Sequence, residues 1–119
     1  MSKAVKIYHN PRCSKSRETL NLLQSHGVEP EVVLYLETPA DAATLRQLLK
    51  MLGMKSAREL MRRKEDLYTS LNLADSSLNE ETLIQAMVEN PKLMERPIVV
   101  ANGQARIGRP PEQVLEIIS

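Results

Sequence analysis

Apolar and polar positions divide the chain into short elements. Ala4-Val5-Lys6-Ile7-Tyr8 alternates as a strand does and stops at His9-Asn10-Pro11. From Ser14 to His26 the apolar residues recur at helical spacing, with Leu20 and Leu23, beside Leu22, on the inner side; Gly27 follows as a C-terminal cap. Glu31-Val32-Val33-Leu34-Tyr35-Leu36 is a near-continuous apolar run, the pattern of a buried parallel strand. Strand, helix and strand within about thirty residues make a βαβ unit, whose crossover is right-handed.

Thr38-Pro39 then reads as an N-cap and a first-turn proline, ahead of a helical stripe of Leu45, Leu48, Leu49 and Leu52 that Gly53 closes. Ser56-x-x-Glu59 is a capping-box pattern and predicts a second short helix through Arg63. Leu67 to Leu73 reads as a turn and a short helix. Asn79 to Asn90 reads as a third helix, with Leu83 and Met87 inward and Pro91 beyond its end. Pro97-Ile98-Val99-Val100-Ala101 is a strand, Asn102-Gly103 a type I′ turn signal, and Gln104 to Ile107 its hairpin partner. Pro111 to Ile118 closes the chain as an amphipathic helix, with Val114, Leu115 and Ile118 available to pack. The order βαβ, helical block, ββα predicts an α/β protein with a mixed four-stranded sheet and helices on both faces. This is the order of a thioredoxin-like fold with an enlarged middle: one domain over residues 1–119, with a helical insertion at about 39–92.

Composition narrows the picture. With three Tyr and no Phe or Trp, the core must be built from Leu, Ile, Val and Met. Lys and Arg total 16 against 15 Asp and Glu, a net charge of +1, so nothing points to nucleic acid or a membrane surface, and any positive site must be local. Met1 to Val5 does not read as a signal peptide, and no apolar run approaches a membrane span. A single Cys excludes an intrachain disulfide and argues for a reducing, cytoplasmic setting. Two His and one Cys are too few donors for a structural zinc site, so no metal is expected.

The chemistry gathers at His9-Asn10-Pro11-Arg12-Cys13-Ser14-Lys15-Ser16-Arg17, where a strand pattern runs in and a helix pattern runs out. Cys13 therefore sits at a helix N-terminus, where backbone N–H groups and the macrodipole favour a thiolate. Arg12, Lys15 and Arg17 add positive charge. A buried structural cysteine is the plain alternative, but the polar stretch on both sides is not core sequence. A thiolate in an anion-binding cradle suits covalent chemistry on an oxyanion or a redox exchange. Cys13-x-x-Ser16 is a CxxC with its second cysteine replaced, so any redox cycle must be closed by a thiol from outside the chain. Thr19 stands at the sixth position after Cys13, so the phosphatase-type Cys-x5-Arg loop is absent. His9, four residues before Cys13, either bonds the loop, helps lower the thiol pKa, or merely orders the turn. Arginines are usually solvated surface charges, and Arg12, Arg46, Arg58 and Arg106 read that way. Arg96, directly before Pro97 at a strand start that a thioredoxin-like layout sets beside the loop between the first strand and first helix, and Arg109, just past the hairpin, are candidates to offer guanidinium groups to a tetrahedral oxyanion. Arg62 or Arg63, in the helical block, is a further candidate.

These blocks together resemble the glutathione/glutaredoxin-linked arsenate reductases, the ArsC family, and in particular its shorter bacterial members. The similarity covers nearly the whole length. It runs through Ile7-Tyr8-His9-Asn10-Pro11-x-Cys13-x-x-Ser16-Arg17-x-x-Leu20, Tyr35-Leu36-Glu37-Thr38-Pro39 and Leu60-Met61-Arg62, then Arg96-Pro97-Ile98-Val99-Val100 and Arg109-Pro110-x-Glu112-x-Val114-Leu115. The resemblance implies a thioredoxin-like fold with a helical insertion. It implies that Cys13 is the nucleophile on arsenate and that His9 helps to keep it a thiolate. Arg62, Arg96 and Arg109 would bind the oxyanion, and Ser16 and Arg17 would shape the Cys13 loop. The chain is one residue longer than the family pattern after Gly53; the spacing to Tyr68 favours Arg62 over Arg63. The implied partners are arsenate or a similar oxyanion, glutathione as co-substrate and glutaredoxin, with no bound cofactor and a monomeric protein. Two other functions compete: a thioredoxin-fold regulator that binds RNA polymerase, and a monothiol reductase of another substrate on the same site.

Overall fold

A computed structural model describes residues 5–118, which form two compact units: residues 5–38 with 96–118, and Pro39–Glu95. Ala4, read as the first strand residue, lies outside the described residues.

The first unit holds a four-stranded sheet in the order β2-β1-β3-β4, formed by β1 (Val5–Tyr8), β2 (Glu31–Val33), β3 (Ile98–Ala101) and β4 (Gln104–Ile107). β1 pairs in parallel with β2, Ile7 opposite Val32, and antiparallel with β3, Ile7 opposite Val99; β3 and β4 are antiparallel. This is the mixed sheet of a thioredoxin-like fold. Helix α1 (Ser14–Ser25) makes the crossover and ends at His26, before Gly27 at φ 78°. One sheet face, carrying Val5, Ile7, Val99 and Ala101, packs against Leu23 of α1 and against Val114 and Ile117 near the C-terminus. Asn102 and Gly103 both have positive φ, 55° and 72°, as the type I′ turn requires.

Two expectations in this unit change. β2 stops at Val33 rather than Leu36, because Leu34 accepts hydrogen bonds from the N–H groups of Glu37 and Thr38 and turns the chain. It is also an edge strand with one neighbour, so it is not the buried strand its apolar run suggested; Val32 is 44% exposed. The C-terminal segment is a 3-10 turn, Pro111–Val114, followed by the short helix of Leu115–Ile118. The three-residue period of the turn puts Pro111, Val114 and Ile117 in one buried line, while Leu115 and Ile118 are only half-buried.

The second unit contains α2 (Ala42–Leu52), α3 (Asp66–Ser70) and α4 (Glu80–Glu89). The cap of α2 is Asp41, whose carboxylate accepts from Thr44 N–H at 2.8 Å, not Thr38; Gly53 closes it at φ 73°. The Ser56–Glu59 capping box forms, with Glu59 accepting from Ser56 N–H at 2.9 Å, but it opens a 3-10 turn, Ala57–Leu60, rather than a helix through Arg63. Met61 is extended and bridges Met94; Arg62 N–H donates to the Leu93 carbonyl at 2.6 Å and Glu95 N–H to the Leu60 carbonyl at 2.8 Å, which ends the turn. Asn79 caps α4 as its sequence suggests, accepting from Thr82 N–H at 2.9 Å. Leu45, Leu48, Leu60, Leu83, Met87 and Leu93 are buried.

Candidate active site

β1 ends at Tyr8 and delivers the next two residues, His9 and Asn10, toward the start of α1, and the intervening turn holds Cys13. Three backbone-directed bonds shape that turn. Cys13 N–H donates to the Asn10 carbonyl at 3.0 Å, Arg12 N–H to Asn10 Oδ1 at 3.0 Å, and the Arg17 guanidinium to the Pro11 carbonyl at 2.7 Å. Cys13 is the N-cap of α1, in extended conformation, and no side chain caps the helix there, so the first-turn N–H groups are open to the sulfur. Partial burial pushes the thiol up. The Ser16 N–H, the Arg96 guanidinium by hydrogen bond and by charge, and the Lys15 N–H all act the other way, and they prevail: the pKa falls below the ordinary thiol value.

Ser16, fully buried, joins the loop to the strand. Its Oγ lies 2.6 Å from His9 Nδ1 and accepts from Asn10 N–H at 3.0 Å. The arrangement that satisfies all three groups has the hydroxyl donating to Nδ1, which leaves the histidine proton on Nε2. His9 is buried and its pKa is lowered, first by desolvation and then by the Arg17 charge, so the ring is neutral at pH 7. His9 thus reaches Cys13 through Ser16, as a neutral positioning group rather than as an imidazolium beside the sulfur.

Arg96 and Arg109 converge on Cys13. The Arg96 guanidinium lowers the Cys13 pKa through hydrogen bonding and charge, and Arg109 Nη2 lies 3.9 Å from Sγ. Arg109 Nε also donates to the Arg96 carbonyl at 2.9 Å, tying the two segments together. Each arginine precedes a cis proline, Pro97 and Pro110. Among the described residues the buried Nε of Arg96 has no hydrogen-bond partner and no carboxylate pairs with Arg96, so its charge is not neutralised by a neighbouring carboxylate. Arg62 belongs to the other unit. It is half-buried, and its Nη1 pairs with Glu65 at 2.9 Å; Arg63 beside it is exposed.

One contributor escaped the sequence. Gly108 N–H donates to the Pro97 carbonyl at 2.9 Å, and a Cβ built on Gly108 would lie 2.5 Å from Thr19 Oγ1 and 2.9 Å from Pro97 Cγ. The segment that carries Arg109 can approach α1 and Pro97 only because residue 108 has no side chain. Its spacing gives no sign of this, since the approach is tertiary.

Chemically, the site is a thiol with a lowered pKa, two guanidinium groups and a row of N–H donors, a set suited to a tetrahedral oxyanion. Among the described residues no group of three or more His, Cys, Asp or Glu is arranged to hold a metal ion, and no helix is long and apolar enough to cross a membrane.

A family model described as the ArsC family matches residues 8–117. An Escherichia coli K12 protein named "Uncharacterized protein YfgD" is 86% identical over 118 residues, covering 99% of each chain. A Neisseria meningitidis protein named arsenate reductase is 48% identical over 114 residues, 96% of this chain and 97% of that one. The solved structure of an arsenate reductase from Vibrio cholerae superposes with a TM-score of 0.96 at 58% identity, covering 98% of this chain and 99% of that one.

Proposed function

The chain belongs to the ArsC family, and on that premise we propose that it is an arsenate reductase, turning arsenate into arsenite through an adduct on Cys13 that glutathione and glutaredoxin resolve. The observation that carries this reading is Cys13 at the open N-terminus of α1 with Arg109 Nη2 3.9 Å from its sulfur, where Ser16 N–H and Arg96 lower the thiol pKa.

The electron count explains why two outside thiols are needed. Reducing As(V) to As(III) takes two electrons, the number released when two thiols become one disulfide. The chain has one cysteine. The Cys13 thiolate forms a sulfur–arsenic bond and an arsenate oxygen leaves as water, its charge held by Arg96 and Arg109 as the bond breaks. The glutathione thiol displaces a second oxygen in the same way. A glutaredoxin thiolate then attacks the glutathione sulfur and leaves with it as a mixed disulfide. The electron pair of the broken glutathione–arsenic bond stays on arsenic, which becomes As(III). Water cleaves the remaining Cys13–arsenic bond, and arsenite departs.

In this scheme Cys13 is the nucleophile, Arg96 and Arg109 hold the oxyanion, and His9, Ser16 and Arg17 position the loop. The assignment of Arg62 as a third oxyanion arginine is supported by the resemblance alone. A coupled assay with arsenate, glutathione and glutaredoxin tests the reading: turnover that Cys13→Ser abolishes is expected, and a rate no higher than that of Cys13→Ser refutes it. A loss of arsenate affinity in Arg62→Ala, with Cys13 reactivity unchanged, would support the third arginine.

A further inference from the structure

A cavity of about 400 Å³ opens beside the Cys13 loop, with residues 9–12 on one wall and Leu34, Leu36 and Glu37 on the other. That volume falls within the range of roughly 300–1,000 Å³ that small-molecule sites occupy. Arg12, on its wall, is the residue next to Cys13. Neither Arg96 nor Arg109 lines it, so the cavity is a compartment beside the Cys13 loop distinct from the side those arginines occupy.

The lining is specific in three ways. Pro11, Leu34 and Leu36 give it an apolar floor, and Leu36 stays 37% exposed although it is a large hydrophobic residue. Arg12 and Glu37 put opposite charges on it, and neither has an ion-pair partner among the described residues. His9 and Asn10 are buried and line it; His9 Nδ1 is taken by Ser16 and Asn10 Oδ1 by Arg12 N–H, whereas His9 Nε2 and Asn10 Nδ2 have no hydrogen-bond partner among the described residues. Two spare N–H donors and a guanidinium suit a carboxylate. A lone carboxylate acceptor suits an ammonium group. An aliphatic floor suits the methylenes between them.

We propose that this cavity seats the small thiol that attacks the Cys13 adduct, recognised as a peptide-like zwitterion with its carboxylate toward Arg12, Asn10 and His9 and its ammonium toward Glu37. The inference rests on the reading above, in which that thiol is glutathione. It gives the attacking sulfur a seat one residue from Cys13 that is separate from the oxyanion side, so both reactants can be bound at once.

The test uses S-methylglutathione, whose blocked sulfur cannot exchange, titrated into isotope-labelled Cys13→Ser protein and followed by amide chemical shifts. Shifts centred on residues 9–12 and 34–37 are expected, with affinity weakened about fivefold or more by Leu36→Asp and by Glu37→Arg. Shifts centred elsewhere, or an affinity that neither substitution changes, overturn the inference. In the coupled assay the same two variants are expected to raise KM for glutathione and leave KM for arsenate unchanged. Binding at the cavity without any arsenate turnover would uphold the seat and sink the arsenate reading. Arsenate turnover with an unchanged KM for glutathione in both variants would sink the seat alone.

Discussion

Gly108→Ala adds one methyl group where there is no room. The new carbon would lie 2.5 Å from Thr19 Oγ1, 3.0 Å from Thr19 Cγ2 and 2.9 Å from Pro97 Cγ, all well inside van der Waals contact. Thr19 is fully buried and its hydroxyl donates to the Lys15 carbonyl at 2.8 Å, so it is poorly placed to yield. Overpacking of this kind costs about 1–3 kcal/mol. The backbone of residue 108 is not in the left-handed region, so the whole cost is steric. Relief must come from moving the 108–109 segment outward, which stretches the Gly108–Pro97 bond and carries the Arg109 guanidinium away from the Arg96 carbonyl and from Cys13. A displacement of about 1 Å in such a positioning group is worth on the order of a hundredfold in rate. Urea unfolding and arsenate kinetics on the same preparation read both effects. Thr19→Ala removes two of the three close atoms, so the double variant should recover part of both losses, with a coupling of about 1 kcal/mol. A Gly108→Ala protein with wild-type stability and wild-type kcat/KM for arsenate would refute the reasoning.

Three further predictions follow from the same geometry. Ser16→Ala leaves the buried Asn10 N–H and His9 Nδ1 without their shared partner and should cost about 1–3 kcal/mol in urea unfolding, whereas the reactivity of Cys13, held by the Ser16 backbone N–H, should shift less than in any Arg96 variant. Arg96→Lys keeps the charge but loses the planar fork and the buried Nε; it should raise KM for arsenate by about tenfold and move the Cys13 pKa up, read by pH-dependent alkylation. His9 has a lower pKa folded than unfolded, so below its ordinary value of 6.5 the unfolded chain takes up the proton first. Its burial as a neutral ring therefore costs nothing above that pH, and stability falls as the pH drops through 6.5 toward the folded pKa. A wild-type stability curve that declines in this window more than that of His9→Asn is the expected outcome.

The Cys13 loop was legible because its signals are local: a period-2 run into His9, a period-3.6 run out of Ser14, and polar residues between them. The hairpin at Asn102-Gly103 was legible for the same reason, since a type I′ turn has a chemistry of its own. The Ser56–Glu59 capping box was local too, yet the helix expected after it is only a 3-10 turn, because the bridge of Met61 to Met94 comes from residues far along the chain. The length and exposure of β2 depend on its place at the sheet edge, and an apolar run reads alike at edge and centre. Ser16 was visible as a missing cysteine but not as the link between His9 and the loop. Gly108 carried no signal, because its role lies in a contact with residues 89 and 11 positions away in sequence, Thr19 and Pro97.

If Cys13 reacts as a thiolate in a cradle built for an oxyanion, its chemistry must show both properties. The rate of Cys13 alkylation against pH, with and without arsenate, tests them most directly. An inflection below that of an ordinary thiol is expected, with protection by arsenate that weakens in Arg96→Lys. An ordinary thiol inflection, with no protection by the anion, would contradict it.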